Sequence, residues 1–210
     1  RDALGPEGAV RVDANGGWDV DTAVTHIRRL DKAASGLEYV EQPCRTIDEL
    51  TAVRRQVDVR IAADESIRRA EDPLRVAVAG AADVVVLKCS PLGGVRRSLQ
   101  VADAAGLPCV VSSAVETSIG LAAQLALAGA LPELHFACGL GTLSLLEGDV
   151  VTGSGSLRPV DGYLPVPCRA PAPEPALLNG YELADPQRAA WWRDRLRRVR
   201  TEQKPAGQRL

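Results

Sequence analysis

The 210-residue sequence has no methionine, one phenylalanine and two histidines, and aromatic residues make up 3% of it. A core without aromatic bulk has to be filled by Ala, Val, Leu and Ile, and the hydrophobic fraction of 46% allows that. The five cysteines, Cys44, Cys89, Cys109, Cys138 and Cys168, contain no C-x-x-C pair. That spacing argues against a disulfide framework or a zinc site and suits free thiols in a reducing, cytoplasmic setting. No signal-like segment opens the chain, and no apolar run is long enough to span a bilayer. The longest, Ile119 to Pro132, is broken by Gln124 and contains Gly129. Neither sign of charge prevails: Lys plus Arg is 25, Asp plus Glu is 27, and the net charge is −2. No global field therefore recruits nucleic acid or an anionic membrane. The basic run Arg193 to Arg200 lacks interleaved aromatics and reads as the solvated face of a helix. The start at Arg1 without Met predicts that this is part of a longer chain.

What is present is a repeat. Short apolar runs end at Asp13, Glu41, Asp64, Lys88 and Ser112, with steps of 28, 23, 24 and 24 residues. A sixth run is Leu134 to Ala137. Between the runs lie helix-compatible segments, 19–34, 46–57, 70–79, 94–105 and 117–130, with apolar positions three and four apart. A βα unit recurring about every 24 residues predicts right-handed parallel crossovers. Six such strands fit either a doubly wound open sheet or part of an eight-stranded βα barrel. The residues closing the strands favour the barrel, which gathers all its strand ends into one bowl, whereas an open sheet spreads them out.

The chain changes character after residue 140. The segment 141–158 carries turn signals at Gly148-Asp149 and Gly153-Ser154-Gly155 and predicts short hairpin-like strands. Pro159 to Pro175 holds six of the 14 prolines and reads as irregular. Asp185-Pro186 predicts an N-cap and a first-turn proline opening a helix through Trp191, Trp192, Leu196 and Val199. The expected organisation is a partial barrel over 1–140 and a C-terminal segment over 141–210 that packs on the barrel or on a capping domain.

Asp13, Glu41 and Asp64 at successive strand ends bring three negative charges together. Uncompensated, such a cluster costs several kcal/mol per buried ion and pushes the carboxyl pKa values upward. A divalent cation, Mg²⁺ or else Mn²⁺, resolves the conflict because it takes carboxylate oxygens and leaves positions for water or substrate. Any one of the three could instead be a solvated loop residue or a helix cap; it is the phasing of all three that points to a metal. Lys88 follows four apolar residues and faces this site. Its ammonium can act in proton transfer, stabilise a developing negative charge, or simply pair with a carboxylate. Metal plus lysine suits proton removal next to a carboxylate, by way of an enediolate.

The motifs Val12-Asp13-Ala14-Asn15, Glu41-Gln42-Pro43, Ala63-Asp64-Glu65-Ser66 and Leu87-Lys88, at these spacings, resemble the enolase superfamily in its muconate-lactonizing subgroup. Asp13-Ala14-Asn15-Gly16-Gly17-Trp18, Pro91-Leu92-Gly93-Gly94, Ser112-Ser113-Ala114 and 137–142 (ACGLGT) are similar to the actinobacterial dehydratases of that subgroup. The resemblance runs from Val10 to the Trp191-Trp192 helix. It implies a TIM-type (β/α)8 barrel, here strands 3 to 8 only, and Mg²⁺ bound by Asp13, Glu41 and Asp64. It also implies Lys88 as the catalytic lysine of the sixth strand, Arg11 and Asn15 supporting the ligands from behind, and Glu65 orienting charged neighbours. Ser112 and Ser113 match the segment that contacts the distal carboxylate of the substrate. The implied reaction is dehydration of 2-succinyl-6-hydroxy-2,4-cyclohexadiene-1-carboxylate to o-succinylbenzoate, in menaquinone synthesis.

The chain departs from the family pattern at one point. Members carry the proton-abstracting lysine in a Lys-x-Lys motif on the strand before the Asp-Ala-Asn strand, and no lysine precedes Asp13 here. The first two barrel strands and most of the capping domain are also missing, which predicts roughly a hundred further N-terminal residues. Racemisation of N-succinylamino acids or epimerisation of dipeptides uses the same scaffold and stays open. So does an inactive barrel serving as a binding or scaffold subunit. The expected partner is a small carboxylate substrate, with no nucleic acid and no membrane; the oligomeric state is not legible.

Overall fold

Five short strands, β1 (Arg11–Asp13), β2 (Tyr39–Glu41), β3 (Ile61–Ala63), β4 (Val84–Leu87) and β5 (Cys109–Val111), form one sheet in chain order. The computed structural model describes residues 1–68 and 72–202. All neighbouring strands are parallel, with Asp13 opposite Glu41, Glu41 opposite Ala62, Ala63 opposite Val85 and Leu87 opposite Val111. A doubly wound sheet reverses its strand order at a switch point; a barrel wall adds each strand beside the last. The observed order is that of a barrel wall.

The crossovers are α1 (Val20–Ala34), α2 (Ile47–Arg54), α3 (Asp72–Ala79), a four-residue α4 (Cys89–Leu92) with α5 (Val95–Ala105), and then α6 (Ser118–Ala130). Their starts follow the local chemistry. Asp19 accepts a hydrogen bond from the Thr22 N–H, and Thr46 with Glu49 closes a reciprocal capping box. The helix expected from residue 70 is described from Asp72; residues 70 and 71 lie outside the described residues.

Strand side chains alternate between two buried layers. Val40, Ile61, Ala63, Val85, Leu87, Cys109 and Val111 face the helices, whereas Tyr39, Ala62, Val84, Val86 and Val110 form a separate inner cluster with Phe136. A wall buried on both faces explains why β4 reads as an unbroken apolar run. Truncating a side chain such as Leu87, which is fully buried, would cost about 2–5 kcal/mol. Arg11 joins this inner face. Its guanidinium lies 4.7 Å from the Tyr39 ring centre and 5.9 Å from that of Phe136, and it donates to the Ala137 carbonyl at 2.6 Å. The curved wall thus brings its first strand to the segment after its last.

Two expectations are corrected. Leu134 to Ala137 does not form a sixth strand; pairing is reduced to a parallel bridge between Ser112 and Gly139. Phe136 turns onto Tyr39 and the Ala137 carbonyl is taken by Arg11, so this stretch does not join the ladder. Gly139 is where the chains can approach: a Cβ there would lie 2.9 Å from Ser112 Oγ. Nor does the segment 141–158 pair as hairpins. It winds into 3-10 turns at Gly141–Leu145 and Gly153–Gly155, and the nearest antiparallel contact is a bridge between Val160 and Tyr163. Leu143, Val151 and Leu157 point into the protein, while Asp149 takes the N–H groups of Ser118 and Val150 and the hydroxyls of Ser118 and Ser156. With one carboxylate serving these donors, a strand ladder is not needed to satisfy them.

These contacts also move the expected boundary. The chain divides into Arg1–Ala172 and Pro173–Leu210, so residues 141–172 belong with the wall. The second unit contains α7 (Pro175–Gly180) and α8 (Pro186–Glu202). Asp185 caps α8 by accepting from the N–H groups of Gln187 and Arg188, and Arg188 and Arg195 lie over the Trp191 ring at 5.2 and 5.7 Å. Among the described residues no helix is long and apolar enough to cross a membrane.

Candidate active site

The inner face ends in polar residues because the strands keep their period of two. Two positions beyond Arg11, Tyr39, Ala62, Val86 and Val110 come Asp13, Glu41, Asp64, Lys88 and Ser112. Lys88 and Asp64 meet: Nζ donates to Oδ2 at 2.5 Å, with the Lys88 side chain 13% and the Asp64 side chain 2% exposed. Arg68 reaches the same oxygen at 3.1 Å and Glu65 Oε1 at 3.2 Å. Two cations therefore converge on Asp64.

Among the described residues Glu41 has no comparable partner. Burial, then the negative charges of Asp13 and Asp64, push its carboxyl up to about 7, and Lys88 only partly opposes them. Glu65 adds another unbalanced feature: its Oε2 is buried with no hydrogen-bond partner among the described residues. An all-oxygen donor set with excess negative charge and an orphaned carboxylate oxygen fits a hard divalent cation by its chemistry. Its geometry is not closed. Among the described residues, no group of three or more His, Cys, Asp or Glu side chains is gathered closely enough to hold a metal ion.

The remaining expected site residues divide between those at the carboxylates and those elsewhere. Asn15, in the left-handed region at φ 46°, acts through its backbone, whose N–H donates to Asp13 Oδ1 at 2.9 Å. Arg11 pairs with Glu38 and Ala137 instead of a carboxylate of the cluster. Ser112 is half-buried at the rim. Ser113 is buried and its hydroxyl is engaged within the protein, facing Thr142 and accepting from the Val115 N–H at 3.0 Å. The two histidines lie apart from these residues: His135 pairs with Glu133 at the wall's opposite end, beside Leu107 and Cys109, and His26 packs edge-on against Trp18.

Gln42 is the residue whose role the sequence did not show. It is 1% exposed and strained at φ 37° immediately before Pro43. Its Oε1 accepts from the N–H groups of Asp64 and Ser66 at 3.0 and 3.3 Å, and its Nε2 donates to Cys44 O and Ser66 Oγ. One side chain thereby fixes the end of β3 against the end of β2 and sets where Asp64 stands. The only signal in the sequence is a glutamine between Glu41 and Pro43, where the strand pattern offers no solvent-facing place for it.

Comparisons with known proteins bear on the family and the fold. The family model described as enolase C-terminal domain-like matches residues 1–171. A protein of Thermobifida fusca named o-succinylbenzoate synthase is 69% identical over 166 residues, 79% of this chain and 51% of that protein. A Mycobacterium tuberculosis protein of the same name is 53% identical over 188 residues, 90% of this chain and 56% of its own length. The chain thus spans about half the length of the curated relatives it matches. Among solved structures, muconate lactonizing enzyme from Pseudomonas putida has a TM-score of 0.76 at 29% identity, covering 86% of this chain and 51% of that one. The L-Ala-D/L-Glu epimerase from Bacillus subtilis has a TM-score of 0.66 at 32% identity, covering 74% and 46%.

Proposed function

The chain belongs to the enolase C-terminal domain-like family, and on that premise we propose that the protein dehydrates 2-succinyl-6-hydroxy-2,4-cyclohexadiene-1-carboxylate to o-succinylbenzoate with the help of Mg²⁺. Higher identity to proteins named o-succinylbenzoate synthase than to one named epimerase supports dehydration over epimerisation. The observation that carries the chemistry is Lys88 standing on Asp64 beside Glu41, a carboxyl left short of positive charge.

On this reading Asp13, Glu41 and Asp64 hold the Mg²⁺, with Mn²⁺ as a substitute. When bound, the ion supplies the charge that holds the substrate carboxylate and favours loss of the neighbouring proton. Lys88 contributes a cation already oriented by Asp64 toward the charge that develops at that carboxylate. Asn15 holds the Asp13 carboxylate through its N–H, and Gln42 holds the Asp64 backbone. Ser112, with its hydroxyl half-open at the rim, takes the distal carboxylate; Ser113 shapes the turn. Arg11 supports the wall beneath the site. We assign the proton-abstracting base to the part of the relatives' length that this chain does not span. A reducing, cytoplasmic setting goes with the five cysteines, none of which forms a disulfide.

The test is to incubate the full-length, Mg²⁺-loaded protein with the cyclohexadiene and measure o-succinylbenzoate. Product formation is expected. No turnover by folded, metal-loaded protein would refute the reading and favour a binding subunit. Exchange of the α-proton of N-succinylamino acids outpacing dehydration would favour the racemase alternative.

A further inference from the structure

Beyond the carboxylates lies a second polar network, on the side of Lys88 away from Asp64. Glu116, in the turn between β5 and α6, accepts three hydrogen bonds. Oε1 takes the Ser90 hydroxyl at 2.7 Å and Gln124 Nε2 at 2.9 Å, and Oε2 takes the Ala114 N–H at 2.8 Å. Gln124, fully buried on α6, uses its other end to accept from the Cys89 N–H at 3.0 Å. Lys88 is therefore followed by two residues, Cys89 and Ser90, that are both tied to Glu116. Ser112 is followed two residues later by Ala114, tied to the same carboxylate.

The charge on Glu116 is favoured at this place. Burial works to raise its pKa, but the hydrogen bonds from Ser90, Gln124 and Ala114 outweigh that and hold it below the ordinary glutamate value. Space is reserved for it as well. Gly120 lies under the side chain, and a Cβ there would come within 2.5 Å of Glu116 Cβ and 2.6 Å of Cγ. The turn it closes holds Val115 at φ 63°, a conformation that a β-branched residue adopts only when its surroundings enforce it.

We propose that Glu116 is a positioning residue that locks the Lys88 strand end to the Ser112 turn, so that the lysine and the substrate-binding serine keep a fixed separation. This rests on the dehydratase reading above, in which Lys88 and Ser112 meet the two ends of one substrate. A carboxylate is required because all three partners are donors; an amide at 116 would present its own N–H groups to one of them. Ser90 serves the lysine side alone, whereas Glu116 serves both sides.

That division gives the test, made on the full-length protein with Mg²⁺ and the cyclohexadiene. Ser90→Ala should lower kcat with KM nearly unchanged, and Glu116→Gln should lower kcat by about tenfold or more and raise KM as well. Gly120→Ala, whose new Cβ must push Glu116 aside, should lower kcat per folded molecule, with the folded fraction measured by circular dichroism. Wild-type kcat and KM in Glu116→Gln, or losses in all three variants that track loss of folded protein, would overturn the proposal. Amide hydrogen exchange in the same samples keeps it separate from the activity reading. Glu116→Gln should speed exchange in 89–92 and 112–116 together, even if the wild-type protein does not turn over this substrate. Faster exchange confined to 112–116 would refute the lock, and an inactive wild type with both segments loosened would refute only the substrate.

Discussion

Lys88 Nζ and Asp64 Oδ2 lie 2.5 Å apart, between the ends of neighbouring strands, and both side chains are largely shielded from water. An ion pair so placed is weak evidence for stability, because desolvation offsets most of the attraction. Its use is orientation. The carboxylate aims the ammonium across the site, and the ammonium relieves one of three crowded acids.

Replacing either partner should separate charge from fold. Lys88→Ala should lose at least about a hundredfold in kcat while retaining Mg²⁺ binding, as measured by isothermal titration. Asp64→Asn should abolish turnover and weaken Mg²⁺ binding, with circular dichroism unchanged. Full activity in the first variant, or unchanged metal affinity in the second, would remove that residue from its assigned role.

Gln42→Ala should cost about 2–4 kcal/mol, since it strands the N–H groups of Asp64 and Ser66 and the Ser66 hydroxyl inside the protein. Urea unfolding measures the loss. Weakened Mg²⁺ binding should accompany it, because the Asp64 backbone loses its anchor. A variant destabilised by less than about 0.5 kcal/mol would show that water or a relaxed backbone replaces the glutamine.

Gly139→Ala should leave the fold intact and raise KM by about threefold to tenfold, the worth of one hydrogen bond. The new methyl would meet Ser112 Oγ at 2.9 Å and turn that hydroxyl away from the rim. An unchanged KM would mean that Ser112 does not touch the substrate.

Acid should loosen the segment after α6 through Asp149. Burial would raise its carboxyl, but the Ser118 and Ser156 hydroxyls and two backbone N–H groups outweigh burial and hold its pKa below the ordinary aspartate value. A group depressed on folding adds stability above its unfolded pKa, about 3.9, and that stability is lost as pH falls through the lower folded value. Stability of the wild type should therefore drop below about pH 4 more steeply than that of Asp149→Asn. At pH 7 the variant should be less stable by about 2 kcal/mol. Parallel stability curves for the two proteins would discount the carboxylate.

The sheet and the polar residues at its strand ends were legible because both follow local periods. Val84 to Leu87 and Cys109 to Val111 are apolar throughout, and the last inward residue of each strand lies near a 24-residue step. Gln42 and Glu116 were not legible as functional residues. Their importance lies in hydrogen bonds to partners such as Asp64 and Ser90, 22 and 26 residues away, which no window along the chain contains. Leu134 to Ala137 misled for the opposite reason. The stretch has a strand's apolar content, but Arg11, 126 residues distant, takes the Ala137 carbonyl. The turns after residue 140 were misread because glycine marks a reversal without saying whether backbone or a side chain such as Asp149 will satisfy it.

The two-residue step along the inner face has an evolutionary consequence. Tyr39, Ala62, Val86 and Val110 fill the wall, and Glu41, Asp64, Lys88 and Ser112, one step further out, form the polar rim to which we assign the chemistry. A mutation at an outer position alters what the bowl can do without opening a void among the inner ones. Such a wall can exchange one reaction for another by single substitutions, each tested by selection on an already folded protein.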